Sequence, residues 1–346
     1  MSEDLQEGAR RLEKYAAFVF YLPAYLAVRR YIREPGRPFL VGLSLAPFGE
    51  FAFGLDWDFT HLFSVLTLRE RLVGFYNTII LGDISVLLTL LLLSGVVLFA
   101  KSWRTLLVGG GLVLLGLIVV TATASRNALL FIPIGMVAAL LLLRKYLNRR
   151  HGYVLGVVVL MLSGLLLISP QNVVVDRIAN GLSYWTEPGS GKDFEVSARF
   201  AMWRDSISMW TEAPVFGVGL GDFELETARL IAEGRSGTTV VFGHAHSIYF
   251  DALATTGLIG FVVMLWFAFW RPFHIGWTAW RSADTRWQTF YATGIVLTVI
   301  GFMVFGLTEA WFSRNPMVRT YLMCLLIMMC GLAGAQGEGE RPHRPA

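Results

Sequence analysis

The sequence predicts an all-α fold, a polytopic transmembrane helix bundle whose one large loop on the outer side contains amphipathic helices. Three observations predict it. Hydrophobic residues make up 55% of the 346 and charged residues only 16%, where an ordinary soluble domain carries about a quarter charged; the mean hydropathy is +0.57. Apolar runs of about 20 residues recur, the length that crosses a bilayer core, whereas a β-barrel would show short alternating segments. The basic residues gather in short loops between those runs, as topology signals do. That distribution argues against nucleic acid as the reason for the net charge of +4.

Nine candidate spans follow, roughly 15–29, 38–54, 78–100, 104–124, 127–143, 152–169, 256–270, 287–307 and 317–335. The first is short and the second contains Pro47 and Glu50. The loop from Arg144 to Arg150 holds four positive charges and no negative one, which makes it cytoplasmic by the positive-inside rule. Alternation then puts Lys101, Arg104, Arg271, Arg281, Arg286 and the tail with Arg341 and Arg344 on the same side. Arg126 and the segment 170–250 fall on the other side. That segment carries ten acidic and six basic residues, a net of 10 − 6 = 4 negative. If both of the first two spans are real, Arg30, Arg33 and Arg37 fall inside and the N-terminus begins outside, an awkward place for a polar start; either one of the two is not a span or helices are missing upstream. The polar, mixed-charge start does not resemble a cleavable signal peptide. The expected organisation is helices over 1–169, an outer loop over 170–250, helices over 251–335 and a cytoplasmic tail over 336–346. Cys324 and Cys330, the only cysteines, lie roughly 9 Å apart along a helix axis, too far to bridge.

Within the outer loop, residues 195–212 read as an amphipathic helix. Val196, Phe200, Trp203, Ile207 and Trp210 form one apolar stripe. Arg199 and Arg204 flank it, while Asp205 points away. Trp and Arg bordering an apolar face suit a helix at a membrane interface; the plainer reading is a helix packed on the bundle with solvated arginines. The segment Pro214 to Phe223 has alternating glycines, neither a dinucleotide fingerprint nor a P-loop, and reads as a tight turn bringing backbone close to other helices. His244-Ala245-His246-Ser247 sits where the loop re-enters the membrane, with Asp251 in the apolar helix that follows. A lone interfacial histidine is more often structural than functional, and H-x-H lacks a third clear metal ligand.

Four pieces in order make the chain resemble the O-antigen ligase and O-antigen polymerase superfamily. They are Arg71-Leu72-Val73-Gly74-Phe75-Tyr76-Asn77, Thr123-Ala124-Ser125-Arg126-Asn127-Ala128-Leu129, Ala198-Arg199-Phe200-Ala201-Met202-Trp203 running into Pro214-x-x-Gly217-x-Gly219-x-Gly221, and His246-Ser247 followed after nine residues by Gly257-x-x-Gly260. The resemblance covers about residues 65–335 and implies a bacterial inner-membrane glycosyltransferase with its site facing the periplasm. Relatives carry more spans before the outer loop, so it also implies that upstream helices are missing here.

The implied donor is a glycan on undecaprenyl (polyprenyl) diphosphate. Its leaving group gathers negative charge as the glycosidic bond breaks, and cations must meet that charge. Arginine does so through paired donors, which points to Arg126 and Arg199, with Arg204 second. The acceptor hydroxyl needs a base, and an imidazole titrating near neutrality suits the task; His246 is that residue. Single displacement inverts the anomeric carbon, and no glycosidase-type carboxylate pair is evident. No metal and no cofactor is expected; the other partners are membrane lipids and an acceptor. The H-S-x9-G-x-x-G spacing favours ligation to lipid A–core. A glycan acceptor (polymerase) or a protein acceptor (oligosaccharyltransferase) is the near alternative, a lipid-linked-glycan flippase or transporter the distant one. Transporters carry ionisable residues deep in their spans, and here only Glu50, Asp83 and Asp251 look buried.

Overall fold

A computed structural model of the chain describes residues 5–31, 34–73, 77–168, 174–176, 179 and 194–337. Among the described residues every regular element is helical: the chain is an all-α, multi-pass membrane protein. Six helices among the described residues are long and apolar enough to cross a membrane, Thr78–Phe99 (α4), Trp103–Thr123 (α5), Arg126–Tyr146, Ile248–Arg281, Arg286–Phe305 (α12) and Asn315–Gln336. The helices Gly36–Gly54 (α2) and Leu62–Leu66 (α3), with a 3-10 turn between them, add a seventh if the pair, bent by 102°, is one span.

The differences from the nine expected spans have local causes. Of Leu5–Val28 (α1) only Ala16–Val28 is apolar, shorter than a full span. The 38–54 run turns sharply at Leu55–Trp57, where Asp56 and Trp57 take positive φ. Arg149–Ile168 (α7) covers the expected 152–169 run up to residue 168, its last position lying outside the described residues, and is not one of the six. The span expected at 256–270 starts at Ile248 and runs to Arg281. Asp251 and Arg271, which bound the apolar run in sequence, lie inside it.

Caps explain several boundaries. Asn77 Oδ1 accepts from the Ile79 backbone N–H at the start of α4, and Ser102 with Thr105 forms a reciprocal capping box at the start of α5. Ala124 in the left-handed conformation (φ 49°, ψ 32°) stops α5, and Ser125 precedes Arg126–Leu143 (α6).

The chain divides into two compact units built from non-consecutive pieces. One comprises Met1–Leu22, Ile178–Arg271 and Phe302–Leu322; the other comprises Pro23–Arg177, Pro272–Gly301 and Met323–Ala346. In the second unit α4 packs on α2, α5 and α6, and α5 packs on α7. At one end of this unit the Arg286 guanidinium donates to Leu98 O (2.6 Å), Trp280 Nε1 to Leu142 O (2.9 Å) and Gln288 Nε2 to Ala335 O (3.2 Å). The Tyr146 and Thr289 hydroxyls meet there at 3.1 Å. These are the ends that the basic loops assign to one side. At the α5–α6 turn, Leu72 N–H donates to Ala122 O (2.9 Å), and Phe51, Leu55, Leu68 and Leu72 pack against Val119 and Ala122.

In the first unit Phe194–Glu212 (α8) packs on Ile248–Met264 (α10), and Phe223–Ala232 (α9) contacts both. Helix α10 continues through a π-helical turn, Leu265–Trp270, into Arg271–Arg281 (α11), and α13 runs Asn315–Gly337. Phe302, Trp311 and Tyr321 form an aromatic cluster that Phe18 joins.

Candidate functional site

The site is built where the segment following α9 turns into α10. Ser247 Oγ and the Ile248 backbone N–H both donate to Gly306 O, at 3.2 and 3.0 Å, so the start of α10 is tied to the chain leaving α12. Just upstream Ala245 is held from two sides. Its N–H faces Asp251 Oδ1 at 3.4 Å and its carbonyl accepts from Trp203 Nε1 at 3.1 Å. Trp203 stacks on Phe250 (centroids 5.0 Å apart, 13° between planes). The Trp of the Arg199-to-Trp203 motif thus fixes the backbone of the His246 motif.

His246 has φ +47°, a left-handed conformation uncommon outside glycine. Its N–H donates to His244 Nδ1 at 3.2 Å, and the two rings meet edge-to-face at 4.2 Å. The conformation turns the His246 ring toward Glu309: Nδ1 lies 3.8 Å from Glu309 Oε2. Glu309, only 2% exposed, also contacts Arg314, with Nε 3.3 Å from Oε1. Burial alone would raise the Glu309 carboxyl. The His246 contact and the charges of His246, Arg314 and His244 outweigh it and hold the group below the ordinary carboxylate value. Nδ1 has no hydrogen-bond partner among the described residues, so at 3.8 Å the carboxylate acts on the imidazole through its charge and not through a hydrogen bond.

Behind this turn α10 is broken. Gly257 has φ 62° and ψ −166°, a region reserved for glycine. The break frees backbone groups that the loop 214–219 takes up. Val218 N–H donates to Ala254 O (2.9 Å) and Gly219 N–H to Thr255 O (3.1 Å), while Leu258 N–H donates to Pro214 O (2.9 Å) and Ile259 N–H to Val215 O (3.3 Å). A Cβ on Gly257 would lie 2.5 Å from Gly217 N, and one on Gly217 would lie 2.4 Å from the Thr255 carbonyl carbon. The glycine pattern of the loop and that of α10 are two halves of one junction, which is why both need glycine.

On α8 the apolar stripe is only partly packed, with Trp203 against Phe250 and Val196 and Trp210 half-buried. Ala198, Met202, Asp205, Ser206 and Met209 are buried, whereas Phe200 and Ile207 are 38% and 45% exposed. Asp205 is buried and receives Ser236 Oγ (2.6 Å) and Gly237 N–H (3.2 Å). Helix α8 therefore presents Phe200 and Ile207 outward beside Arg199, which is half-buried, and Arg204, which is exposed.

Arg126 belongs to the second unit and is the first residue of α6, half-buried at a helix N-terminus, where the dipole and open N–H groups favour anions. Its turn is braced by neighbours. Arg71 donates to Thr123 O through Nε and a terminal nitrogen (3.1 and 3.0 Å) and to the Thr78 hydroxyl (2.9 Å). Buried Asp83 faces Ser125 Oγ and Asn127 Nδ2, each at 3.4 Å. The Arg71–Asn77 motif is described only at its ends, since Gly74, Phe75 and Tyr76 lie outside the described residues. Among the described residues no group of three or more His, Cys, Asp or Glu side chains could hold a metal ion.

Residues 110–265 match a family described as O-antigen ligase. The chain is similar to the O-antigen ligase family. The matched region contains Arg126, Arg199, Arg204, His246 and Gly257, and stops short of Glu309 and Arg314. An uncharacterized protein of Haemophilus influenzae is 21% identical over 275 residues, 75% of this chain, and the chain spans 65% of that relative's length. Glu309 and Arg314 are the site residues that sequence reading missed. They stand 63 and 68 positions after His246 (309 − 246 and 314 − 246), in a stretch, Thr308 to Asn315, with no motif of its own.

Proposed function

We propose that the chain is a membrane glycosyltransferase of the O-antigen ligase type, which moves a glycan from a polyprenyl diphosphate to an acceptor hydroxyl at the periplasmic face of the inner membrane. The observation that carries this is the buried Glu309 carboxylate facing Nδ1 of His246. In the proposed step the acceptor oxygen attacks the anomeric carbon and its proton passes to Nε2 of His246. The bond from that carbon to the diphosphate oxygen breaks, and the diphosphate leaves with the electron pair. Inversion follows from single displacement. Arg126 and Arg199 are the proposed phosphate-binding residues, by charge and by their places in two of the quoted motifs, and Arg204 is second, by charge alone. Glu309, through Nδ1, is a positioning residue for the base.

The H-S-x9-G-x-x-G spacing and the family's description support lipid A–core as acceptor over a glycan or a protein. The test is transfer in vitro from a synthetic polyprenyl-diphosphate glycan in EDTA, offering lipid A–core, a free glycan and a peptide in turn. Transfer to lipid A–core alone is expected, with the anomeric centre inverted. A retained anomeric centre, or activity that returns only with a divalent ion, overturns the mechanism. Transfer only to glycan or peptide overturns the acceptor and leaves the mechanism standing.

A further inference from the structure

The second unit contains a cavity of about 520 Å³, inside the range of roughly 300–1,000 Å³ typical of small-molecule sites. It lies among the ends of α4 and α6 and the beginnings of α5 and α7, far in sequence from the matched motifs of the outer loop. Its walls are aliphatic, with Leu93, Val97, Leu106, Val113 and Val158 among them, and its polar end carries Asn148, Arg149 and His151. Along α7 the wall from Arg149 to Val158 runs about 14 Å at 1.5 Å per residue, room for a hydrocarbon chain lying along the helix.

The polar end is built for an acceptor of hydrogen bonds. His151 is 8% exposed. Its Nδ1 accepts the Asn148 backbone N–H at 3.2 Å, so in the neutral ring the proton sits on Nε2. Nε2 is buried with no hydrogen-bond partner among the described residues. A buried donor left without an acceptor is costly, so a ligand oxygen at this place is favoured. Arg149 lines the cavity's end, Arg150 follows it in sequence, and no Asp or Glu occurs between Asp83 and Asp176. The Arg150 guanidinium lies 5.7 Å over the ring of Trp103, an aromatic–cation pair of the kind that marks the headgroup level.

We propose that this cavity binds one anionic phospholipid, with an acyl chain along the aliphatic walls and the phosphate at Arg149 and His151 Nε2. Two features select a lipid over a free anion. Most of the volume is apolar, which an inorganic phosphate would leave unfilled, and the anionic headgroup matches the basic loop that marks the cytoplasmic leaflet. The proposal does not depend on glycan transfer and makes this a structural lipid site.

The experiment loads detergent-purified protein from phosphatidylcholine vesicles with or without phosphatidylglycerol and counts lipid retained per chain by native mass spectrometry. One phosphatidylglycerol is expected to remain, at least tenfold above phosphatidylcholine. Arg149→Glu should lower retention about tenfold and Arg149→Lys should largely keep it. Gly152→Phe should exclude the lipid with the basic residues intact, because Gly152 lines the cavity and a Cβ there meets nothing within 4 Å. Helical circular dichroism of each variant is checked against the parent, and the Glu and Phe variants act independently, so the failure of one to fold leaves the other decisive. Equal retention of both lipids, retention unchanged in Arg149→Glu and Gly152→Phe, or a polyprenyl phosphate in place of the phospholipid would each overturn the assignment.

Discussion

The Glu309 carboxylate lies 3.8 Å from one imidazole nitrogen of His246 and 3.3 Å from the Arg314 guanidinium, so its charge both orients the base and answers a nearby cation. Glu309→Gln keeps the shape and removes the charge. Steady-state kinetics should show kcat down on the order of 10–10²-fold with KM little changed, against roughly 10²–10⁴-fold for loss of the base itself in His246→Ala. His244→Ala should be much milder; equal losses at the two histidines would make His246 structural. Stability carries a second signature. Because the folded-state pKa of Glu309 is depressed, its contribution is present above the ordinary carboxyl value of about 4.3 and fades as pH falls through the lower folded value. The melting temperatures of wild type and Glu309→Gln should differ at neutral pH and converge in acid. Arg126→Ala and Arg199→Ala should each remove most transfer with folding intact, and Lys should restore only part, since it offers a point charge in place of a fork. Full activity in both Ala variants would remove the phosphate assignment. At this scale His246 was legible because its spacing to Gly257 and Gly260 is local. Glu309 was not, because only the packing of the α12–α13 connection against the start of α10 brings it there.

Among elements, the junction between the loop 214–219 and the break in α10 has the most definite consequence. In a hydrocarbon environment freed backbone groups must find partners inside the protein, and here four loop groups meet four helix groups. Gly257→Ala should therefore do more than strain one residue, a cost of about 1–3 kcal/mol for such backbone conformations; its methyl would also push the loop off the helix. Gly234 has a similar φ of +67° with nothing within 4 Å of a Cβ, so Gly234→Ala carries the strain alone. Thermal unfolding should show a clearly larger loss for Gly257→Ala than for Gly234→Ala. Equal losses would mean that the junction contributes nothing beyond local conformation. The glycine spacings were visible in sequence as a tight turn near other helices, but which helix and why were not, since periodicity carries no information about a break filled by another segment. Helix α8 shows the same boundary: its extent and stripe could be read, while the burial of Asp205 opposite the stripe depends on Ser236 and Gly237, which come from beyond α9.

For the whole molecule, the basic loops predict sides, and contacts within each unit agree with them. In the second unit the chain ends near Leu98, Leu142, Trp280, Arg286 and Ala335 meet one another, as they must if Lys101, Arg144–Arg150, Arg281 and the tail share one side of the bilayer. In the first unit His246 and Ser247 meet Gly306 and Glu309, as they must if the loop entering α10 and the loop leaving α12 share the other. Alternation turns one basic loop into a constraint on all the rest, whereas apolar length misplaced a span, since Asp251, Gly257 and Arg271 interrupt the run that becomes a helix from Ile248 to Arg281. The two sides can be read directly in intact cells. With Cys324 and Cys330, both buried, replaced by Ala, single cysteines at exposed Val240 and exposed Lys145 are offered a membrane-impermeant maleimide from outside, before and after the inner membrane is made permeable. Val240→Cys should label at once, and Lys145→Cys only after permeabilisation. Because every span is fixed by alternation from the loop that contains Lys145, labelling of that position in intact cells would invert the whole arrangement. It would place His246 in the cytoplasm, away from any periplasmic acceptor.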